Sequence, residues 1–174
     1  RPPPRGPAGL TPDADIGHRR AYRARMDVDV VVERVIPVAR ERVAEFAGDP
    51  SNAPRWYANI RSVAWRTEPP VAIGSRMDFE ARFLGRPLAY TYEVTELVAG
   101  ERMVMRTADG PFPMETTYTW ETAPGGTLMR LRNRGTPSGF ARVAAPVMAR
   151  AMRSAMTKDL DLLSRLLVDG DARP

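Results

Sequence analysis

Cysteine is absent from the 174-residue chain, and histidine occurs once, as His18. The first absence removes disulfides, thiolate nucleophiles and cysteine metal sites together. The second argues against a Ser-His-Asp triad, a histidine general base and any multi-histidine metal site, because His18 lies in a stretch with few large apolar residues. Catalysis, if there is any, falls to carboxylates, tyrosine, arginine, hydroxyls or bound water. Neither a metal nor a cofactor is expected. No apolar run approaches the roughly 18 residues of a membrane span. No apolar h-region follows the opening Arg-Pro-Pro-Pro-Arg, so no secretory signal is expected. A cytoplasmic location fits a chain without cysteine. P-loop, dinucleotide-binding, zincin and nucleophile-elbow motifs are also missing.

Charge is present but unevenly placed. The formal net charge is +5. Residues 1–25 hold Arg1, Arg5, Arg19, Arg20, Arg23 and Arg25 against Asp13 and Asp15, so four of the five net charges sit there. The remainder is nearly neutral, which points away from nucleic acid as a partner of the folded part. Residues 1–25 are also rich in Pro and Gly and are expected to be a disordered basic tail. Met26, where regular patterning begins, is expected to be the natural start; the alternative is a functional basic arm. One domain is expected over residues 26–170, followed by a disordered end at 171–174.

From Met26 the hydrophobic pattern has period 2, with Val28, Val30, Val32 and Ile36 on one parity. Arg40 to Gly48 reads as a short helix. Asp49-Pro50 opens a second helical turn, Asp as N-cap and Pro at the first position, running to Trp56-Tyr57. Six strands follow, over residues 60–67, 75–84, 88–97, 102–107, 114–122 and 127–134. The third strand alternates most cleanly: Met77, Phe79, Ala81 and Phe83 against Arg76, Asp78, Glu80 and Arg82. Turns at Gly85-Arg86-Pro87, Gly100-Glu101, Asp109 to Pro113 and Pro124-Gly125-Gly126 separate the later strands. Thr136-Pro137-Ser138-Gly139 then offers an N-cap for a long helix from about Phe140 to Val168, stopping near Gly170. Met148, Met152, Met156, Leu160, Leu163 and Leu167 form its apolar stripe, and Pro146 is tolerable only in its first turns or at a kink. Consecutive hairpins give an antiparallel meander whose apolar face the last helix must cover. The fold class is therefore α+β: a seven-stranded curved antiparallel sheet around a long C-terminal helix, with two short helices after strand one.

The order of elements resembles the helix-grip fold of the START / polyketide cyclase / pollen-allergen-like (SRPBCC) superfamily. Val32-Glu33-Arg34-Val35-Ile36-Pro37-Val38-Ala39 is similar to the family's first strand and its exit. Val43-Ala44-Glu45-Phe46, Asp49-Pro50 and Trp56 are similar to the segment that follows. Tyr92 to Glu96, Tyr118-Thr119-Trp120, Gly126-Thr127 and the closing helix with Asp159-Leu160, Leu163 and Leu167 fit the rest. The chain departs from the pattern at Val38-Ala39 and at Ala44, both structural positions. The resemblance implies a cavity between sheet and helix and does not by itself imply a reaction. The Rieske centre of some relatives needs Cys and His ligands that are lacking here.

The inward-facing set expected to line such a cavity is Trp65, Phe79, Phe83, Tyr90, Tyr92, Met105, Met114, Tyr118, Trp120, Met148 and Met152. Aromatics supply flat contact area and methionines adapt to varied shapes, though the same residues also build ordinary cores. Arg34, Tyr90, Tyr92 and Glu96 are the candidates for chemistry. Arg34 sits on the apolar parity and could anchor a carboxylate or enolate, or it could snorkel out to a surface carboxylate. Glu96 follows Val94 on the inward parity and is the candidate general base, or else a strand-end surface charge. Asp78 and Glu80 read as surface charges sharing a face with Arg76 and Arg82. Arg130, Arg132 and Arg134 read as the solvated face of an edge strand. The leading expectation is a binder of a small hydrophobic ligand, lipid or polyketide-like. An aromatic polyketide cyclase or dehydratase is the alternative, and an interaction module using the basic arm is a third.

Overall fold

The computed structural model describes residues 28–136 and 145–171. The expected tail over 1–25, the start at Met26, the N-cap at Thr136 to Gly139, the helix start at Phe140 and the end at 171–174 lie outside, apart from Thr136 and from Asp171, the last residue of the closing helix. The first strand, β1, is Val28–Ile36, followed by helix α1 at Arg40–Gly48, a 3-10 turn at Pro50–Asn52 and helix α2 at Ala53–Trp56. Six strands come next: β2 Ile60–Trp65, β3 Arg76–Phe83, β4 Arg86–Val98, β5 Arg102–Asp109, β6 Met114–Ala123 and β7 Gly126–Gly135. Helix α3 closes the described chain at Ala145–Asp171. Asp49 caps the 3-10 turn, its Oδ1 accepting from Ser51 N–H at 2.9 Å. Pro146 is the second described residue of α3.

All strand pairs are antiparallel in the order β1-β7-β6-β5-β4-β3-β2. The meander curls, and α3 lies against β1 across the inner face, which is the helix-grip arrangement. The edge strand β1 is covered in part by α3, whose Arg153 donates to Val31 O at 2.8 Å. Burial follows the alternation that amphipathic strands demand: Val28, Val30, Val32 and Ile36 in β1 and Met77, Phe79 and Ala81 in β3 are buried. Met148, Met156, Leu160, Leu163 and Leu167 complete one core with them.

One expectation is corrected here. The last strand in sequence, β7, is not an edge; it is flanked by β6 and by β1, which returns to pair with it over its whole length. Its arginines are therefore cross-strand partners. Arg132 binds Asp29 of β1, Arg130 binds Glu33 of β1 and Glu121 of β6, and Arg134 binds Glu115 of β6. Asp78 likewise pairs across strands, with Arg66 at 2.7 Å and Thr91 at 2.6 Å, and Glu80 accepts from Ser62 at 3.0 Å.

The β5–β6 loop is tied to the inner face through Gly110, which has φ +156°. A Cβ there would sit 2.9 Å from Tyr90 Cβ and 3.1 Å from Thr107 Cγ2. Gly110→Ala is expected to cost about 2 kcal/mol by displacing the loop from Tyr90, read as a lower urea midpoint with an unchanged slope. A midpoint equal to wild type would show that the loop yields freely.

Candidate functional site

The inner face divides into two halves according to what covers it. Under α1 it is solid. Trp120 of β6 is 3 % exposed and lies against Gly48, where an added Cβ would stand 3.4 Å from the indole. Trp65 of β2 is covered by the 3-10 turn, its Nε1 donating to Ser51 Oγ at 2.8 Å. Neither tryptophan reaches the cavity, so both depart from the expected lining set. They share the inward parity with that set but occupy the part of the face that the short helices fill.

Under the first turns of α3 the face is not filled. A cavity of about 130 Å³, partly open to solvent, lies between sheet and helix. Its sheet side is Phe79, Ala81 and Phe83 from β3, Leu88, Tyr90 and Tyr92 from β4, Met105 from β5, and Met114, Thr116 and Tyr118 from β6. Phe112 from the β5–β6 loop adds to it, and Met148, Met152, Ala155, Met156 and Asp159 form the α3 side. Nine of the eleven residues picked out by parity line it: Phe79, Phe83, Tyr90, Tyr92, Met105, Met114, Tyr118, Met148 and Met152. The aromatic wall is ordered by ring contacts. Phe79 stacks on Tyr90 at 5.4 Å, and Tyr92 meets Tyr90 edge-on at 4.9 Å.

Hydroxyls in the wall are largely paired with one another. Tyr57 and Tyr118 share a hydrogen bond of 2.9 Å. Tyr92 and Thr116 share one of 3.0 Å, and Thr116 donates to Asn133 Oδ1 at 2.8 Å. Burial above all, with neighbouring phenols, holds the Tyr57, Tyr90 and Tyr118 hydroxyls well above the usual tyrosine range. They are donors, not bases, at any physiological pH.

Two candidates for chemistry lie outside the cavity. Arg34 is exposed and pairs with Asp161 on the outer side of α3. Glu96 is exposed and pairs with Arg102 at 2.7 Å. The reason for the second is a β-bulge: Val94 pairs with Met105, but Glu96 pairs with Val104, so one extra residue on β4 switches its parity and turns Glu96 outward.

Glu115 borders the cavity but is held by Arg106 and Arg134; the carboxylate there with no described cation partner is Asp159, which is not among the residues that the sequence pattern singled out. It is 3 % exposed. Its Oδ1 accepts from Ala58 N–H at 3.0 Å, joining α3 to the segment between α2 and β2. Burial pushes its carboxyl up to about 6, against the lowering effect of the Ala58 bond. The signal was available: Asp159 lies seven residues after Met152 and three after Met156, inside the apolar stripe of α3. Asn59 and Tyr57, also in the wall, carried no such signal because they sit in an irregular segment.

Among the described residues no His, Cys, Asp and Glu are grouped to hold a metal ion, and no helix is long and apolar enough to cross a membrane.

Comparison with known proteins agrees with this geometry. No curated protein matches the chain. Among solved structures, TTHA0849 from Thermus thermophilus is 20 % identical, with a TM-score of 0.68 over 82 % of this chain and 98 % of that one. A START superfamily protein from Mycobacterium smegmatis is 13 % identical, with a TM-score of 0.68 over 81 % and 97 %. The Zhui aromatase/cyclase from a Streptomyces species is 12 % identical, with a TM-score of 0.65 over 80 % and 92 %. These likenesses establish the fold. The family described as polyketide cyclase / dehydrase and lipid transport matches residues 27–168. The chain therefore belongs to that family.

Proposed function

We propose that the protein binds a small hydrophobic molecule in the cavity between the sheet and α3. The observation that carries this reading is the unfilled volume of about 130 Å³ behind a wall of aromatic and methionine side chains. A cavity of roughly 150 Å³ lined by aliphatic and aromatic groups is enough to hold benzene, so a single ring is the smallest natural probe. Ring faces and thioethers make such a wall adaptable, and they impose little direction on a guest.

The test is calorimetric titration of toluene into the full chain, paired with Ala155→Phe. Ala155 faces the cavity from α3, so the added ring occupies the guest's volume. Wild type is expected to bind toluene and gain thermal stability from it, and the variant to remain folded and lose both effects. Wild type that fails to bind toluene, or a variant that binds it equally well, would overturn the reading.

A second reading has one specific observation in its favour. A cyclase or dehydratase needs a group that can take a proton at neutral pH, and Asp159, held near 6, is such a group inside the cavity. In that reading Tyr90, Tyr92 and the Tyr57–Tyr118 pair serve as hydrogen-bond donors to developing oxyanions, while Arg34 and Glu96 have no part. Incubation of the protein with a poly-β-ketone chain is expected to redistribute the cyclised products, and Asp159→Asn to abolish that change.

A further inference from the structure

The polar groups of the cavity divide into those that satisfy one another and those that do not. The tyrosine pair and the Tyr92–Thr116–Asn133 chain belong to the first kind. Asp159 and Asn59 belong to the second. Asp159 receives one described hydrogen bond, from Ala58 N–H. A carboxylate offers about four lone-pair positions, and no described cation pairs with this one. Asn59 Oδ1 is buried with no partner. Both residues line the same cavity, and Asn59 directly follows Ala58, whose N–H binds Asp159.

Two acceptors thus stand in the wall with no donor assigned to them, beside the self-paired tyrosines and the Glu115–Arg134 ion pair that also border the cavity. A hydrocarbon guest would shut both away from water unpaired, which is the costly arrangement for a buried polar group. A guest with an N–H or O–H at that end would satisfy them. We propose that the cavity selects a compact apolar ring bearing one hydrogen-bond donor, a hydroxyl or an amine, and that Asp159 together with Asn59 receives it. The Tyr57–Tyr118 pair adds a complementary feature. One hydroxyl donates to the other, so one O–H remains to meet the lone pair of a guest hydroxyl.

This inference rests on the hydrophobic-ligand reading, and the experiment separates the two. Toluene, phenol and benzylamine, three single rings differing in the donor, are titrated at pH 7.5 into wild type and Asp159→Asn. Toluene leaves water more readily than phenol, so partition alone favours toluene. Wild type is expected to reverse that order, binding phenol or benzylamine at least about tenfold tighter than toluene. The amide of Asp159→Asn can still accept from Ala58 N–H but presents an NH2 group toward the guest. It is expected to lose the preference, the ratio of phenol or benzylamine affinity to toluene affinity falling at least about tenfold from its wild-type value. Phenol against benzylamine then tells whether the donor is neutral or cationic. Toluene binding without any preference for a donor would overturn the inference and leave the hydrophobic-ligand reading standing. Failure of all three probes would remove both. A preference that survives Asp159→Asn unchanged would overturn the role given to Asp159.

Discussion

Replacement of Glu115 by alanine is expected to destabilise the fold by about 3 kcal/mol, lowering the melting temperature by roughly 6–12 °C. Glu115 is 4 % exposed, in β6, on the opposite parity to Tyr118 and among the residues that border the cavity. Its register partners are Arg106 of β5 and Arg134 of β7, and it binds both, with Arg106 Nε at 2.8 Å. Burial alone would raise its carboxyl, but the bonds from Arg134 and then Arg106 outweigh that and hold it below the usual range. Alanine would leave two guanidinium groups facing each other across the missing carboxylate, and Arg134 Nε is already buried without a partner. Arg106 is half exposed, so water recovers part of its loss, which keeps the figure at the low end for a broken buried pair. The pH dependence carries a definite sign. A lowered folded value means that the contribution is complete above the unfolded value near 4.5 and disappears as pH falls through the folded one. Urea denaturation of wild type and Glu115→Gln should therefore differ at pH 7 and converge toward pH 3. A constant difference across that range would mean that packing, not charge, sets the cost.

How much of this was legible beforehand depends on the kind of signal. Period-2 alternation located every strand to within a few residues, and β3 is the clearest case because one face is wet and the other packed. Asp49-Pro50 announced the 3-10 turn because the cap and the proline act within two residues of chain. Topology was harder. That β7 lies between β6 and β1 depends on pairing across about a hundred residues, which no local pattern encodes. The same long-range pairing gives the solvent-facing arginine row of β7 its partners, Asp29, Glu33, Glu115 and Glu121.

At the site, parity identified which residues face inward and could not tell core from cavity. Trp120 and Tyr118 are two positions apart on β6 and both buried, yet one rests on α1 and the other borders empty space. Only the placement of the short helices decides that. Glu96 failed for a different reason: parity propagates along a strand only while the pairing is regular, and the bulge after Val94 resets it. Asp159 is the opposite case, since the helical period placed it among Met152, Met156 and Leu160. A charged residue inside an apolar stripe is the departure from pattern that points to a site, because its burial must be offset by something the stripe does not contain.

That offset can be measured in the absence of any ligand, as a gain in stability when the charge is removed. Asp159→Asn is expected to be more stable than wild type by about 3 kcal/mol at pH 7.5, with a melting temperature roughly 6–12 °C higher. The carboxyl is held at about 6 in the fold against 3.8 when exposed. Its folded form thus keeps a proton that the unfolded chain gives up. The contribution is nil below about pH 4, grows increasingly unfavourable as pH rises toward 6, and is complete above it. The groups that face Asp159, the Tyr57 and Tyr118 hydroxyls, stay neutral throughout this range and add no competing titration. Asparagine preserves an acceptor for Ala58 N–H and removes the ionisable proton, so wild type and variant should coincide near pH 4 and separate above it. Glu115 has the opposite profile, which allows the two carboxylates to be told apart in one series of melts. If Asp159→Asn were less stable than wild type at pH 7.5, the Asp159 charge would have to be compensated within the fold, and the free acceptor offered to a ligand would not exist.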